Sequence, residues 1–173
     1  MSITYRDAVP DDAEALASVF ARCFTDTFGH LYKAEDLAAF LDPLDAEAWE
    51  RELRDPALAM RVAEEDGRLV AFGKVGAVAL PVTPERPAAE LRQLYVLKPW
   101  HGQGIAEELM DWALERVRAM GAEEVYLSVY VDNHRARRFY ERYGFRFVQP
   151  YDFMVGNHAD EDHILRLDLK ERG

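Results

Sequence analysis

The sequence predicts a mixed α/β fold in a single domain, and three of its features carry that prediction. Residues 90–96 (Glu-Leu-Arg-Gln-Leu-Tyr-Val) read as a strand. A glycine-containing turn leads from them into a long amphipathic pattern, in which Ile105, Leu109, Ala113 and Val117 recur every four residues. A second apolar run over residues 124–130 is followed by a helix over 134–143. Glu65-Asp66-Gly67-Arg68 stands between two further apolar runs and reads as a hairpin turn by its Asp-Gly pair. Strands and helices thus alternate through 173 residues, enough chain for one domain with a real core.

Residues 3–6 read as the opening strand, and Pro10-Asp11-Asp12 starts a helix with acid in its first turn. Leu16, Val19, Phe20, Cys23, Phe24 and Phe28 form its apolar stripe, which Gly29 interrupts. Two short helices follow over 35–41 and 45–53. Each is stopped by an Asp-Pro pair (42–43 and 55–56), because the residue before proline is pushed out of the helical region. Strands over 60–64 and 69–78 flank the hairpin, and Pro81, Pro84 and Pro87 make residues 79–87 a loop. Along 90–96 the apolar steps are uneven, Leu91 to Leu94 to Val96, where a regular strand repeats every two residues. One extra residue, a β-bulge near 92–94, accounts for this. Gly121 is placed to end the long helix. Beyond the 134–143 helix the expectation is a strand over 145–148, a connection over 151–161 and a last strand over 163–169.

Composition narrows the function. The chain has 21 Lys and Arg against 32 Asp and Glu, a net charge of −11. That disfavours nucleic acid, which needs a basic face, and favours small cations, which a negative cleft concentrates. No apolar run reaches membrane-spanning length, and the first residues lack the basic and apolar regions of a signal peptide. Cys23 is the only cysteine, so no internal disulfide can form; a cytoplasmic location is expected. Cys23 shares its helix face with Leu16, Phe20 and Phe24 and reads as a small core residue rather than a nucleophile. His101, His134, His158 and His163 show no metal-ligand spacing, so no metal is expected. Monomer and homodimer both stay open.

The turn over 101–106 (His-Gly-Gln-Gly-Ile-Ala) carries the chemistry. A helix N-terminus offers free N–H groups and partial positive charge, and glycines let a ligand approach the backbone, which together suit a phosphate. Alone, a Gly-x-Gly turn also fits a plain strand-to-helix connection. It stands, however, ahead of Asn133-His134-Arg135-Ala136 and the Phe139-Tyr140 and Gly144-Phe145 pairs. In that order and separation, these motifs resemble the GNAT superfamily of acetyl-CoA-dependent N-acetyltransferases, with its Asn-x-x-Ala, Phe-Tyr and Gly-Phe signature and its Gln/Arg-x-x-Gly-x-Gly/Ala pyrophosphate loop. His101 departs from the pattern by standing where the family has Gln or Arg. The resemblance implies the GNAT fold, a mixed and mostly antiparallel central sheet flanked by helices. Phe24-Thr25-Asp26-Thr27-Phe28, Glu35-Asp36-Leu37 and Phe153-Met154-Val155-Gly156 with Asp162 resemble, more narrowly, the polyamine-acetylating PaiA branch.

This resemblance implies acetyl-CoA as cosubstrate, held by Leu94, Tyr95, Val96, His101, Gly102, Gln103, Gly104, Ile105, Ala106, Asn133 and Tyr140. It also implies a small cationic amine bordered by Phe28 and Glu35. Tyr140 matches the tyrosine that faces the coenzyme sulfur and would protonate the departing thiolate. A bulge-exposed N–H near Leu94 or Tyr95 would support the oxyanion. Glu90 begins the bulged strand, where the superfamily often places its base; a solvated edge carboxylate is an equal reading. Asp26, Glu35, Asp36, Asp42, Asp45, Asp160, Glu161 and Asp162 are expected around the amine. The function expected is acetyl transfer to a primary amine, most nearly a polyamine. The alternatives are a peptide α-amine, an aminoglycoside, or a non-catalytic acyl-CoA-binding module, which the retained Tyr140 and Asn133 disfavour.

Overall fold

Turn chemistry sets the first half of the sheet. Asp66 and Gly67 both take positive φ (51° and 79°), as a two-residue hairpin requires, and they join β2 (Leu58–Glu65) to β3 (Arg68–Gly76). β1 (Ile3–Asp7) pairs antiparallel with β2, and β4 (Ala88–Val96) with β3. The protein is seen here as a computed structural model that describes residues 2–172. It contains a seven-stranded sheet in the order β1-β2-β3-β4-β5-β7-β6. The expected bulge is present: Lys74 pairs with Gln93 and Val75 with Leu91, which leaves Arg92 as the extra residue.

Alternate sides of each strand meet different helices. Phe72 of β3 packs edge-on against Trp49 at 5.3 Å, while the neighbouring Gly73 lies under Trp112, 3.5 Å from where its Cβ would stand. Trp49 belongs to α3 (Ala46–Leu53), which packs with α1 (Ala13–Phe28) on one face; α2 (Ala34–Leu41) lies beside them. Trp112 belongs to α4 (Ile105–Ala119), which covers the other face with Leu109, Met110, Ala113 and Val117 buried, as their spacing predicts. Lys74 is buried among the first set. Desolvation lowers its pKa, Glu52 holds its Nζ at 3.0 Å, and the ring of Trp49 lies 4.2 Å away.

α4 carries the chain across to β5 (Glu124–Tyr130), which runs parallel to β4, as a helical crossover allows. α5 (His134–Tyr143) begins at Asn133, whose Oδ1 accepts the Ala136 N–H at 3.3 Å, and it ends on the left-handed Gly144. A four-residue helix, α6 (Leu169–Arg172), follows the last strand. Among the described residues no helix is long and apolar enough to cross a membrane.

One expectation is overturned. Residues 151–161 are no connection: β6 (Arg146–Val155) and β7 (His158–Asp168) form one long hairpin turning at Gly156-Asn157. β6 is the sheet edge, so Pro150 costs no ladder bond to a further strand, and its half-exposed faces hide the apolar signal of a strand.

That turn braces the helical layer. Gly156 has φ +59°, and a Cβ there would come within 2.8 Å of the Asp36 Cα in α2, while the Asp36 carboxylate accepts the Asn157 N–H at 3.2 Å. Gly156→Ala therefore meets both a left-handed backbone and a helix in close contact. It should lower stability by ~1–3 kcal/mol in urea unfolding. Asn157→Ala, which keeps the N–H, should cost much less.

Candidate active site

The site begins where the sheet comes apart. β4 and β5 pair over only three residues, Ala88 to Glu90 against Glu124 to Tyr126. Beyond them Leu91 to Val96 and Leu127 to Tyr130 diverge and line a cleft of about 770 Å³. Leu97 gives its N–H to Val70 O of β3, so alternation along β4 turns the N–H groups of Val96 and Leu94 away from β3 and into the cleft. The Tyr95 N–H points back to β3. Of the two residues expected near the oxyanion, Leu94 is the one whose N–H faces the cleft.

At one end of the cleft lies the glycine turn. Gly102 and Gly104 have φ of 79° and 82°, which L side chains rarely adopt, and a Cβ on either would meet nothing within 4 Å. The turn is thus glycine for its backbone, and it opens outward. No side chain caps α4, and the first N–H groups of the helix, at Ile105, Ala106 and Glu107, have no carbonyl of their own helix to bond. Among the expected coenzyme residues, Leu94, Tyr95, Val96, His101, Gly102, Gly104, Ile105, Ala106, Asn133 and Tyr140 all line the cleft. Gln103 does not; it stands exposed on the outer side of the turn.

His101 binds across the mouth. Its Nε2 lies 2.8 Å from Val96 O, which can only accept, so Nε2 carries the hydrogen and Nδ1 accepts from Arg135 Nη1 of α5. Arg135, Arg138 and Arg142 of α5 line the same cleft as Gly104, Ile105, Ala106 and Glu107 at the head of α4. A phosphate-bearing ligand therefore meets positive groups from both helices.

Tyr140 stands between these walls. Its ring lies edge-on to Phe139 and Phe145 at 5.5 and 5.8 Å. Burial pushes its hydroxyl up to about 12, so it stays protonated throughout the neutral range. The Cys23 thiol is also pushed up to about 12 by burial and reaches the cleft from α1.

The far end is aromatic with an acidic floor. Phe24 packs on Phe28, Phe40 and Tyr32 at 5.1, 4.6 and 6.0 Å, and Phe28 meets Tyr130 edge-on at 6.0 Å. Below them are Asp160 and Asp162 of β7, two residues apart and hence on one face, each only 6% exposed. Asp160 accepts the Tyr32 hydroxyl and lies 3.1 Å from His158 Nε2. Asp162 is pushed up to about 7 by burial and by the charge of Asp160.

Two site expectations need correction. Glu90 is buried but does not line the cleft; its Oε1 accepts the N–H groups of Ala79 and Leu80, at 2.8 and 3.1 Å, and so holds the proline-rich loop. Glu35 is exposed in the first turn of α2 and faces solvent, while Phe28 of the same expected pair does line the cleft. Of the eight acids expected around the amine, only Asp160 and Asp162 line it. Asp26 pairs with Arg22, Asp36 braces the β6–β7 turn, and Asp45 caps α3. Burial of the aspartates depends on the β6–β7 hairpin, whose strands the sequence pattern hides.

Comparison with known proteins agrees with this geometry. Residues 14–145 match the acetyltransferase (GNAT) family. An uncharacterized N-acetyltransferase of Mycobacterium tuberculosis is 33% identical over 159 residues, covering 91% of this chain and 98% of that protein. The aminoalkylphosphonate N-acetyltransferase of Salmonella typhimurium is 34% identical over 115 residues, 64% of this chain and 68% of the other. In fold, the chain is similar to the PaiA N-acetyltransferase of Thermoplasma acidophilum in complex with coenzyme A, with a TM-score of 0.78 at 22% identity over 97% and 99% of the two chains. With a parted β4–β5 pair, a glycine turn at the head of α4 and a family match over most of its length, the chain belongs to the acetyltransferase (GNAT) family and is an N-acetyltransferase.

Proposed function

We propose that the protein transfers the acetyl group of acetyl-CoA to a primary amine of a small polycation, most nearly a polyamine. The observation that carries this reading is the single cleft between β4 and β5. It joins a phosphate-suited end, at Gly102 to Ala106 and the α5 arginines, to an aromatic end floored by two aspartates. The PaiA neighbour was solved with coenzyme A, which fits the free N–H groups of the turn. A polyamine suits the other end, because aromatic faces and carboxylates both attract ammonium groups, and the net charge of −11 adds to the field on a second one.

The residues divide the chemistry. The coenzyme supplies the thioester whose acetyl group is transferred. Backbone N–H groups of the turn hold its phosphates, and Asn133, besides capping α5, lines the path of the arm. The cleft-facing Leu94 N–H meets the developing oxyanion. Tyr140 gives its proton to the departing thiolate. At about 12 it is a weak acid in water, but the same apolar surroundings raise the proton affinity of a thiolate, as the buried Cys23 shows. Glu90, tied to its loop, takes no part in this reading.

Coenzyme binding should rest on the backbone. Gly104→Glu, which puts a carboxylate and a Cβ into the cradle, should abolish acetyl-CoA binding in calorimetry. His101→Ala, which frees Val96 O and Arg135, should weaken it by only ~0.5–1.5 kcal/mol. The reverse order would mean that the loop has been assigned wrongly.

Tyr140→Phe should lower kcat by ~10²–10⁴-fold at nearly unchanged acetyl-CoA affinity, since the hydroxyl acts on charge that develops only in the transition state. An unaltered single-turnover rate would remove it from the mechanism.

The substrate class is tested by thiol release with spermidine, a diamine, an alkylamine, a peptide α-amine, an aminoglycoside and an aminoalkylphosphonate. Spermidine should show the highest kcat/KM. Its lead over the alkylamine should shrink with salt, as the Debye length falls from ~10 Å at 0.1 M to ~3 Å at 1 M. A lead for the peptide, the aminoglycoside or the anionic phosphonate would overturn the polyamine assignment and leave acetyl transfer standing.

A further inference from the structure

Three carboxylates line the cleft among the described residues: Glu107, Asp160 and Asp162. Glu107 is exposed in the first turn of α4, at the phosphate end and away from the aromatic end. Asp160 is engaged, one oxygen by the Tyr32 hydroxyl and the other by His158 Nε2. Asp162 is as deeply buried as Asp160, yet among the described residues no hydrogen bond or ion pair holds its carboxylate. A carboxylate largely removed from water, with no such partner and lining a cleft, is available to a ligand there. Its place in the sheet points to a use. Asp162 pairs with Tyr130 of β5 and Tyr151 of β6, so it reaches the cleft at the end of the stretch of β5 that has parted from β4. Tyr95 and Tyr140 line the same cleft as Asp162.

We propose that Asp162 is the general base of the reaction, the group that draws the substrate's ammonium into the cleft and takes its proton before attack. This rests on the acetyltransferase reading above and names the base that Glu90 does not supply. The groups facing Asp162 are Asp160 on its own strand, Tyr130 from β5, Tyr151 from β6, Tyr95 from β4 and Tyr32 from the turn after α1. Burial raises the phenols of Tyr32, Tyr95 and Tyr130, which leaves Asp160 as the neighbouring charge. Tyr32 and His158 engage Asp160, while burial and the charge of Asp160 push Asp162 up to about 7. Above that value it is a carboxylate strong enough as a base to accept a proton from a desolvated ammonium and weak enough to shed it to water.

The protons balance as follows. Asp162 takes one proton from the ammonium, and the neutral nitrogen attacks the acetyl carbon, forming the C–N bond. The C–S bond breaks, and the Tyr140 hydroxyl delivers its proton to the thiolate. The second nitrogen proton returns to the Tyr140 oxygen, and Asp162 releases its own to solvent. The yield is the amide, the free thiol and one proton.

The test compares wild type, Asp162→Asn and Asp162→Glu, with spermidine and acetyl-CoA, by thiol release from pH 5.5 to 9.5 and by acetyl-CoA calorimetry. In wild type, kcat/KM should fall on the acid side with an inflection near 7, as Asp162 is protonated. Asp162→Asn should lose ~10²–10⁴-fold at neutral pH with acetyl-CoA affinity unchanged. Its remaining activity should climb toward the amine's own pKa, ~10.4 for a lysine-like amine, because only amine already neutral can then react. Asp162→Glu should recover part of the rate and keep the inflection near neutrality. An Asp162→Asn enzyme with wild-type kcat/KM and the same acid limb would overturn this proposal alone. So would loss of acetyl-CoA affinity in the same variant, which marks a structural residue. A wild type that releases no thiol with any amine would overturn the acetyltransferase reading itself.

Discussion

A parallel pair of strands that cannot stay paired is the constraint on which the site depends. β4 and β5 share a ladder for three residues and then part. The bulge at Arg92 lies just past that point, and it lets β4 keep its antiparallel bonds to β3 while turning away from β5. The unpaired edges would be costly if buried dry, since backbone donors and acceptors need partners. They become useful where a ligand fills the gap, and the Leu94 and Val96 N–H groups face it. The same divergence brings the head of α4 and the start of α5 to the two lips of one cleft, joined by the His101 contacts to Val96 O and Arg135.

The cleft's chemistry follows from its low polarity. Burial raises Tyr140 and Cys23 to about 12 and Asp162 to about 7, all in the direction that disfavours charge. An acid that stays protonated and a carboxylate poised near neutrality therefore share one environment. Desolvation accounts for both, and the Asp160 charge adds the rest for Asp162. The aromatic wall from α1 and α2 lines this end, and the contact of Asp36 with Gly156 and Asn157 braces α2 against the β6–β7 turn.

Much of this was legible in the chain alone, wherever the signal is local. The Asp66-Gly67 hairpin, the apolar stripes of α1 and α4, the Asn133 cap and the Gly144 stop depend on a few adjacent residues, and each stands where its pattern puts it. The uneven steps of Leu91, Leu94 and Val96 were enough to place the bulge, because side-chain period is a property of the strand itself. The glycine turn and the Phe139-Tyr140 pair likewise marked residues that line the cleft.

Partners distant in sequence were decided only by the tertiary structure. Whether Glu90 faces a substrate or a loop depends on where residues 79 and 80 fold back, and they fold onto its carboxylate. Glu35 belongs to a helix whose inward face is set by packing, and that packing leaves it in solvent. Asp162 looks in sequence like one acid among eight. It becomes distinct only because β7 carries it under an aromatic layer beside Asp160, whose partners come from Tyr32 and His158. Local pattern determined the elements and their turns, since those energies are short-ranged. The protonation chemistry was left to packing, since desolvation and charge coupling act between residues that only the fold brings together.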